Sequence, residues 1–226
     1  METTMYDTLL QLPLFQGLRK EDFTHIIEKV KFNFRNCENN EIIVKQGDTC
    51  NQLIFLLEGE IISQTNDKAH NFQLSETVHS PFLIEPYSLF GMYTCYNATY
   101  LAKGKTSLLT IEKAYLLRNL NNFDIFRLNF YNILSNRAQT VQWKLWNAHS
   151  GSLKEKLANF FVFRCIRNNG EKKLHIGMED LSKLIGETRI NVSKVLNDLR
   201  EKDVIQLKRK EIYIPAFEKL LEELSL

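Results

Sequence analysis

The sequence predicts an α+β chain: an antiparallel β-roll, a long helix, then a winged helix-turn-helix. Three observations carry that expectation. Between Lys31 and Ile111, short stretches rich in Ile, Val, Phe, Leu and Thr are punctuated by Gly47, Gly59, Pro81, Pro86, Gly91 and Gly104, the texture of a many-stranded antiparallel domain. From Asp124 to His149 the texture turns helical, with Leu134, Ala138, Val141, Leu145 and Ala148 in a 4-3-4-3 rhythm. Near the end, MEDLSKLIGETRINVSKVL has the spacing of two short helices around a glycine, and two alternating segments follow it.

At 226 residues the chain has room for two ordinary domains. Its 44% hydrophobic residues, with fifteen Phe and eight Tyr, supply real cores and exclude wholesale disorder. No run of about 18 apolar residues spans a bilayer, and METTMYDTLLQLPLF lacks the basic, apolar and small-residue pattern of a signal peptide. A cytoplasmic protein with no membrane partner is expected. Cys37, Cys50, Cys95 and Cys165 are scattered, without CxxC or zinc spacing, so no metal or other cofactor is expected. The net charge of +2 announces no partner, although residues 151–226 hold 15 Lys/Arg against 12 Asp/Glu and the rest 14 against 15.

In chain order, Phe23, Ile26, Ile27 and Val30 make an amphipathic helix over 21–30. NQLIFLLEGEIISQT reads as two strands meeting near Glu58-Gly59, and NDKAH as a polar hairpin turn. A short helix around Glu112–Leu120 leads into the long one. Its 4-3-4-3 rhythm, flanked by Trp143 and Trp146, is the seam of two helices packed side by side, and a second copy of the chain is the simplest cover. After His149-Ser150-Gly151, Ser152 and Glu155 form a capping box for a helix that buries Leu157, Phe160, Phe161 and Ile166 and ends at Asn168-Asn169-Gly170. The expected domains are therefore 1–122 for the roll, 123–150 for the dimerisation helix and hinge, and 151–226 for the winged helix-turn-helix.

Residues 178–185 form one short helix with Leu181, Leu184 and Ile185 inward, and Gly186 supplies the positive φ of a steep turn. Thr188 caps a second helix whose Val192, Val195, Leu196 and Leu199 face inward. Thr188, Arg189, Ile190, Asn191, Ser193 and Lys194 then lie at the end that enters a major groove in such motifs. Arg189 offers two parallel donors to a guanine edge, and Asn191 and Lys194 reach a base or a phosphate. Val204–Leu207 and Glu211–Ile214 make a hairpin tipped by Lys208, Arg209 and Lys210, a wing whose charges suit the phosphate backbone of double-stranded DNA.

With these residues in place, the chain resembles the CRP/FNR family of bacterial transcription regulators. KQGDTCNQLIFLLEGE is similar to the family's β-roll signature, and LIGETRINVSKVLNDLREKDVI to its recognition motif. The resemblance implies a jelly-roll like a cyclic-nucleotide-binding domain. It also implies a homodimer on a two-fold symmetric operator, a small-molecule effector in the roll, and RNA polymerase as the partner recruited or blocked. By position Arg189 falls on the family's guanine-reading arginine, whereas Ile190 replaces a glutamate and could pack on a thymine methyl.

The effector site departs from the nucleotide-binding pattern. Glu85 falls near the carboxylate that holds ribose hydroxyls, but Pro86 follows it, and Ala98-Thr99 stand where an Arg-Ser pair holds the cyclic phosphate. Gln142 lies on the long helix where small hydroxyl residues meet the purine. Glu85, Thr99 and Gln142 are the expected pocket residues, and the missing arginine argues against cyclic AMP. An alternative is a nucleotide-sensing module whose helical C-terminal domain docks a protein. An enzyme is not expected: a cupin-like metal site needs two or three His/Glu ligands, and no His-x-His pair occurs.

Overall fold

A computed structural model describes residues 9–147 and 151–224. Its packing divides the chain into two compact units, residues 1–61 with 79–139 and residues 62–78 with 140–226.

The first unit is the roll. Helix α1 (Lys20–Lys29) buries Phe23 and Ile26, with Val30 closing its end. Ile27, expected on the same face, is exposed. Strand β1 (Asn33–Cys37) pairs antiparallel with β6 (Thr99–Glu112), as does β2 (Ile42–Val44), and β5 (Phe82–Ile84) pairs with β3 (Gln52–Asp67). The expected break at Glu58-Gly59 is not there: β3 runs straight through it. Gly59 marks a close approach, since a Cβ there would lie 2.6 Å from the Lys105 carbonyl oxygen. Phe15 sits at the centre of the aromatic core, with ring centroids 5.5–5.7 Å from Phe23, Phe55 and Phe126. Such pairs contribute about 0.5–1.5 kcal/mol each beyond area burial.

Helix α2 (Lys113–Arg118) follows β6, and α3 (Asp124–Asn147) is the long helix. Phe126 and Phe130 on α3 are buried, while Leu128, Tyr131, Val141, Trp143, Leu145 and Trp146 are exposed, Leu145 at 76% and Trp146 at 78%.

The second unit contains a strand drawn from early in the chain. The end of β3 turns back into β4 (Phe72–His79), which pairs with β7 (Lys172–Ile176); β9 (Glu211–Ile214) and β8 (Gln206–Lys208) continue that sheet. This association is absent from a reading of three consecutive segments. Period two places Phe72, Leu74 and Glu76 of β4 on the buried face with Lys172, Leu174 and Ile176 of β7. The register sets Glu76 directly opposite Lys172, whose Nζ lies 2.9 Å from the carboxylate.

Helix α4 (Leu153–Arg164) starts at the capping box formed by Ser152 and Glu155, as the sequence predicts. It buries Leu157, Phe160 and Phe161. Ile166 lies beyond its end and is partly exposed, its N–H donating to both oxygens of Glu76 at 2.8 and 3.0 Å. Helices α5 (Met178–Ile185), α6 (Arg189–Glu201) and α7 (Phe217–Glu223) complete the unit; α7 and β7 carry no expectation from the sequence. Phe72 and Leu74 join Leu157, Phe161, Leu196 and Phe217 in one apolar core.

Candidate nucleic-acid interface

The turn between α5 and α6 follows from local chemistry. Gly186 ends α5 at φ +72°, a conformation glycine adopts without strain, and the Glu187 N–H returns to the Ser182 carbonyl at 3.0 Å. Two residues later the Thr188 hydroxyl accepts the Asn191 N–H at 3.3 Å and caps α6. Leu181 and Ile185 of α5 and Val192, Leu196 and Leu199 of α6 are buried, which fixes the outward face. Lys156 on α4 braces the turn from below through a 2.7 Å ion pair with Glu187.

Thr188, Arg189, Ile190, Asn191 and Lys194 are exposed at the start of α6. Ser193 is half-buried and engaged within its own helix, its carbonyl and hydroxyl accepting from the Asn197 amide at 2.9 and 3.3 Å. The Arg189 guanidinium stands 3.7 Å from Glu179 on the first turn of α5, with both side chains largely exposed. The sequence carries no expectation for this acidic neighbour, although its place in MEDL, about two turns ahead of the glycine, is readable.

The wing is formed by β8 and β9, paired from Gln206↔Tyr213 to Lys208↔Glu211. Val204 and Ile205, expected in its first strand, are buried in the core just before it. Lys210 takes φ +58° at the tip, and its carbonyl accepts the Ile176 N–H at 2.9 Å, so the tip is tied to the end of β7. Lys208, Arg209 and Lys210 are all exposed. Glu211 at the base lies 3.0 Å from Lys173 and 3.7 Å from Lys208; the Lys173 bond holds its carboxyl below the usual glutamate range. The unit thus presents a helix N-terminus carrying an arginine and a lysine, and a separate basic hairpin.

In the roll, Glu85 is buried at 3% exposure. One oxygen accepts from the Asn97 N–H at 2.8 Å, the Asn97 side-chain amide at 2.9 Å and the Ser88 hydroxyl at 2.9 Å; the other accepts from the Ala98 N–H and the Tyr100 hydroxyl, each at 3.1 Å. Thr99 is half-buried and its hydroxyl accepts the Gln46 N–H at 3.0 Å. Gln142 is exposed on α3 and belongs to the other unit. Of the expected seam residues, Leu134 is half-buried, Ala138, Val141 and Leu145 are exposed, and Ala148 lies outside the described residues.

A roll in the first part of the chain and a winged helix-turn-helix in the second define a DNA-binding regulator built on a sensor-like domain. Residues 34–123 match the family described as the cyclic nucleotide-binding domain, and residues 155–223 match the Crp-like helix-turn-helix domain. The chain belongs to the CRP/FNR family of transcription regulators. Among solved structures it is similar to the catabolite activator protein of Thermus thermophilus, at 21% identity over 94% of this chain and 98% of that one, with a TM-score of 0.53. It is also similar to the c-di-GMP-responsive global regulator CLP of Xanthomonas campestris, at 13% identity over 87% and 99%, TM-score 0.50. A third likeness is to the N-terminal domain of a transcriptional regulator from Streptomyces coelicolor A3(2), at 20% identity over 65% and 100%, TM-score 0.50. These likenesses show the fold. Among curated proteins, none matches the sequence. No helix among the described residues is long and apolar enough to cross a membrane.

Proposed function

We propose that the chain acts in the cytoplasm as a homodimer, binding a two-fold symmetric operator and thereby recruiting or blocking RNA polymerase, as a binding protein rather than an enzyme. The observation that carries the operator reading is the exposed N-terminal face of α6, where Thr188, Arg189, Ile190, Asn191 and Lys194 stand clear of the core beside a wing bearing Lys208, Arg209 and Lys210. Ser193 belongs to the same turn and steadies it through Asn197. Arg189 reads a guanine, Ile190 packs on a thymine methyl, and the wing holds phosphates.

The dimer reading is supported by α3, whose Val141, Leu145 and Trp146 expose apolar surface on a helix that buries Phe126 and Phe130 elsewhere; a helix apolar on more than one side calls for a second cover. Leu134, Ala138, Val141, Leu145 and, beyond the described residues, Ala148 form that seam.

Selection of duplexes from a random pool tests both halves. The retained sequences are expected to carry inverted half-sites about one helical turn, roughly 34–36 Å, apart. Affinity is expected to fall by ~10³–10⁵ between 50 and 200 mM salt if about 6–10 phosphates are neutralised. A pool that shows no enrichment, or enrichment of single half-sites by a protein that sediments as a monomer, defeats the reading.

A further inference from the structure

The five donors on Glu85 come from one short stretch of roll: two consecutive backbone N–H groups, at Asn97 and Ala98, the Asn97 side chain, and the hydroxyls of Ser88 and Tyr100. Successive backbone amides aimed at one point form an anion-binding concavity. A carboxylate has about four lone-pair sites, so five donors leave no capacity for a ligand's hydroxyls. Glu85 reaches this position at a cost. Its backbone is left-handed, φ +36°, immediately before Pro86, where a side chain and the following ring both disfavour that geometry. The Ser88 N–H, returning to the Glu85 carbonyl at 2.9 Å, locks the strained residue in place. Strain held this firmly around one fully satisfied carboxylate fits a residue whose task is to fill the concavity.

We propose that Glu85 is the resident anion of this oxyanion-binding turn: the roll carries its own tethered carboxylate where a free anionic ligand would otherwise sit. The tether gives it an effective concentration no dissolved anion matches. The roll therefore reaches its folded arrangement without an anionic effector, and duplex binding is independent of one. That last clause rests on the DNA-binding reading; the anion clause does not.

Chemical rescue in the full chain tests it. Glu85→Ala is expected to lower the thermal midpoint of the roll by roughly 5–10 °C, because buried donors lose their acceptor. Millimolar formate, which restores a carboxylate without the tether, is expected to recover part of that loss saturably, whereas chloride at equal ionic strength does not. The wild type is expected to shift with neither. Glu85→Gln keeps the shape but turns an amide N–H toward the donors; it is expected to lose stability that formate does not restore, and it serves as the test if Glu85→Ala does not fold. Glu85→Ala or Glu85→Gln as stable as wild type, a loss that formate and chloride treat alike, or a wild-type midpoint raised by cyclic AMP would each overturn the proposal. On the selected duplex, wild-type affinity is expected to be the same with and without cyclic AMP. A rise sinks ligand independence and leaves DNA binding intact, while failure to bind any duplex sinks the DNA reading and leaves the formate result standing.

Discussion

The two units bury a carboxylate each, and they satisfy it in opposite ways. In the roll, Glu85 is surrounded by neutral donors from residues 88–100, close to it in sequence. In the C-terminal unit, Glu76 faces the ammonium of Lys172, which is fully buried, and takes the Ile166 N–H as well. The Lys172 contact is ionic rather than an aligned hydrogen bond: its Nζ is buried with no acceptor in hydrogen-bonding geometry, and the Phe217 ring lies 5.8 Å away. Neutral donors shape a turn locally. An ion pair between β4 and β7 instead ties a hairpin from early in the chain to the sheet that ends in the wing. The pair is costly to desolvate, and a shifted register would leave its two charges buried apart.

The largest expected effect therefore sits at Lys172. Lys172→Met removes the countercharge and leaves Glu76 buried, which is expected to cost about 3–5 kcal/mol in urea unfolding followed by the fluorescence of Trp143 and Trp146. Combining it with Glu76→Leu is expected to recover part of the loss, because no buried charge is then left without its countercharge, while the Ile166 N–H loses its acceptor. If the single substitution costs less than about 1 kcal/mol, the contrast between the units fails.

Acid sharpens the contrast. Glu155 is held below the ordinary range by the Ser152 N–H and hydroxyl, Glu211 by Lys173, Glu218 by its own N–H and that of Gly170, and Glu223 by Lys202; all four belong to the C-terminal unit. In the roll, the corresponding case is Glu41, held down by Arg35. A depressed folded pKa contributes stability that is present above the unfolded value, near pH 4–5, and is lost as the pH falls through the folded one. Below pH 4–5 the C-terminal unit is expected to lose protection before the roll. Hydrogen exchange resolved by segment checks the order, and simultaneous loss, or the roll first, contradicts it.

What the sequence made legible tracks how local each device is. The capping box at Ser152, the turn at Gly186 and the cap at Thr188 are decided within one or two turns of chain, and the structure has them where the residues say. The helix bounds 178–185 follow from the same signals. Gly59 misled because a glycine between apolar runs signals a turn and a close crossing equally well; which one holds depends on Lys105, far along the chain. The β4–β7 pairing joins segments separated by the rest of the roll and the long helix, and no local pattern encodes that. In the structure, period-two alternation sets Glu76 and Lys172 on otherwise apolar faces. Glu85 was legible as a special residue by resemblance. Its donors were not, because they depend on how the 88–98 loop folds back.

The smaller effects concern an exposed ion pair at the start of α6. Arg189→Ala is expected to cost about 1–3 kcal/mol of affinity for the selected duplex and to relax preference at a single base pair in each half-site, with random DNA bound nearly as before. Equal loss on random DNA would show that Arg189 touches only phosphate. Glu179 is the finer probe. At 3.7 Å and largely exposed, its pair with Arg189 is weak, and it must open before both guanidinium donors face a guanine edge. Its charge also stands beside the surface proposed to meet phosphates. Glu179→Gln is expected to raise affinity for the selected duplex by no more than about fivefold, with unfolding unchanged, and Arg189→Ala is expected to abolish most of that gain. A gain that survives without Arg189 would mean that Glu179 acts only by repelling the backbone. The C-terminal unit would then use paired charge to build its sheet, with none reserved for exchange at the groove.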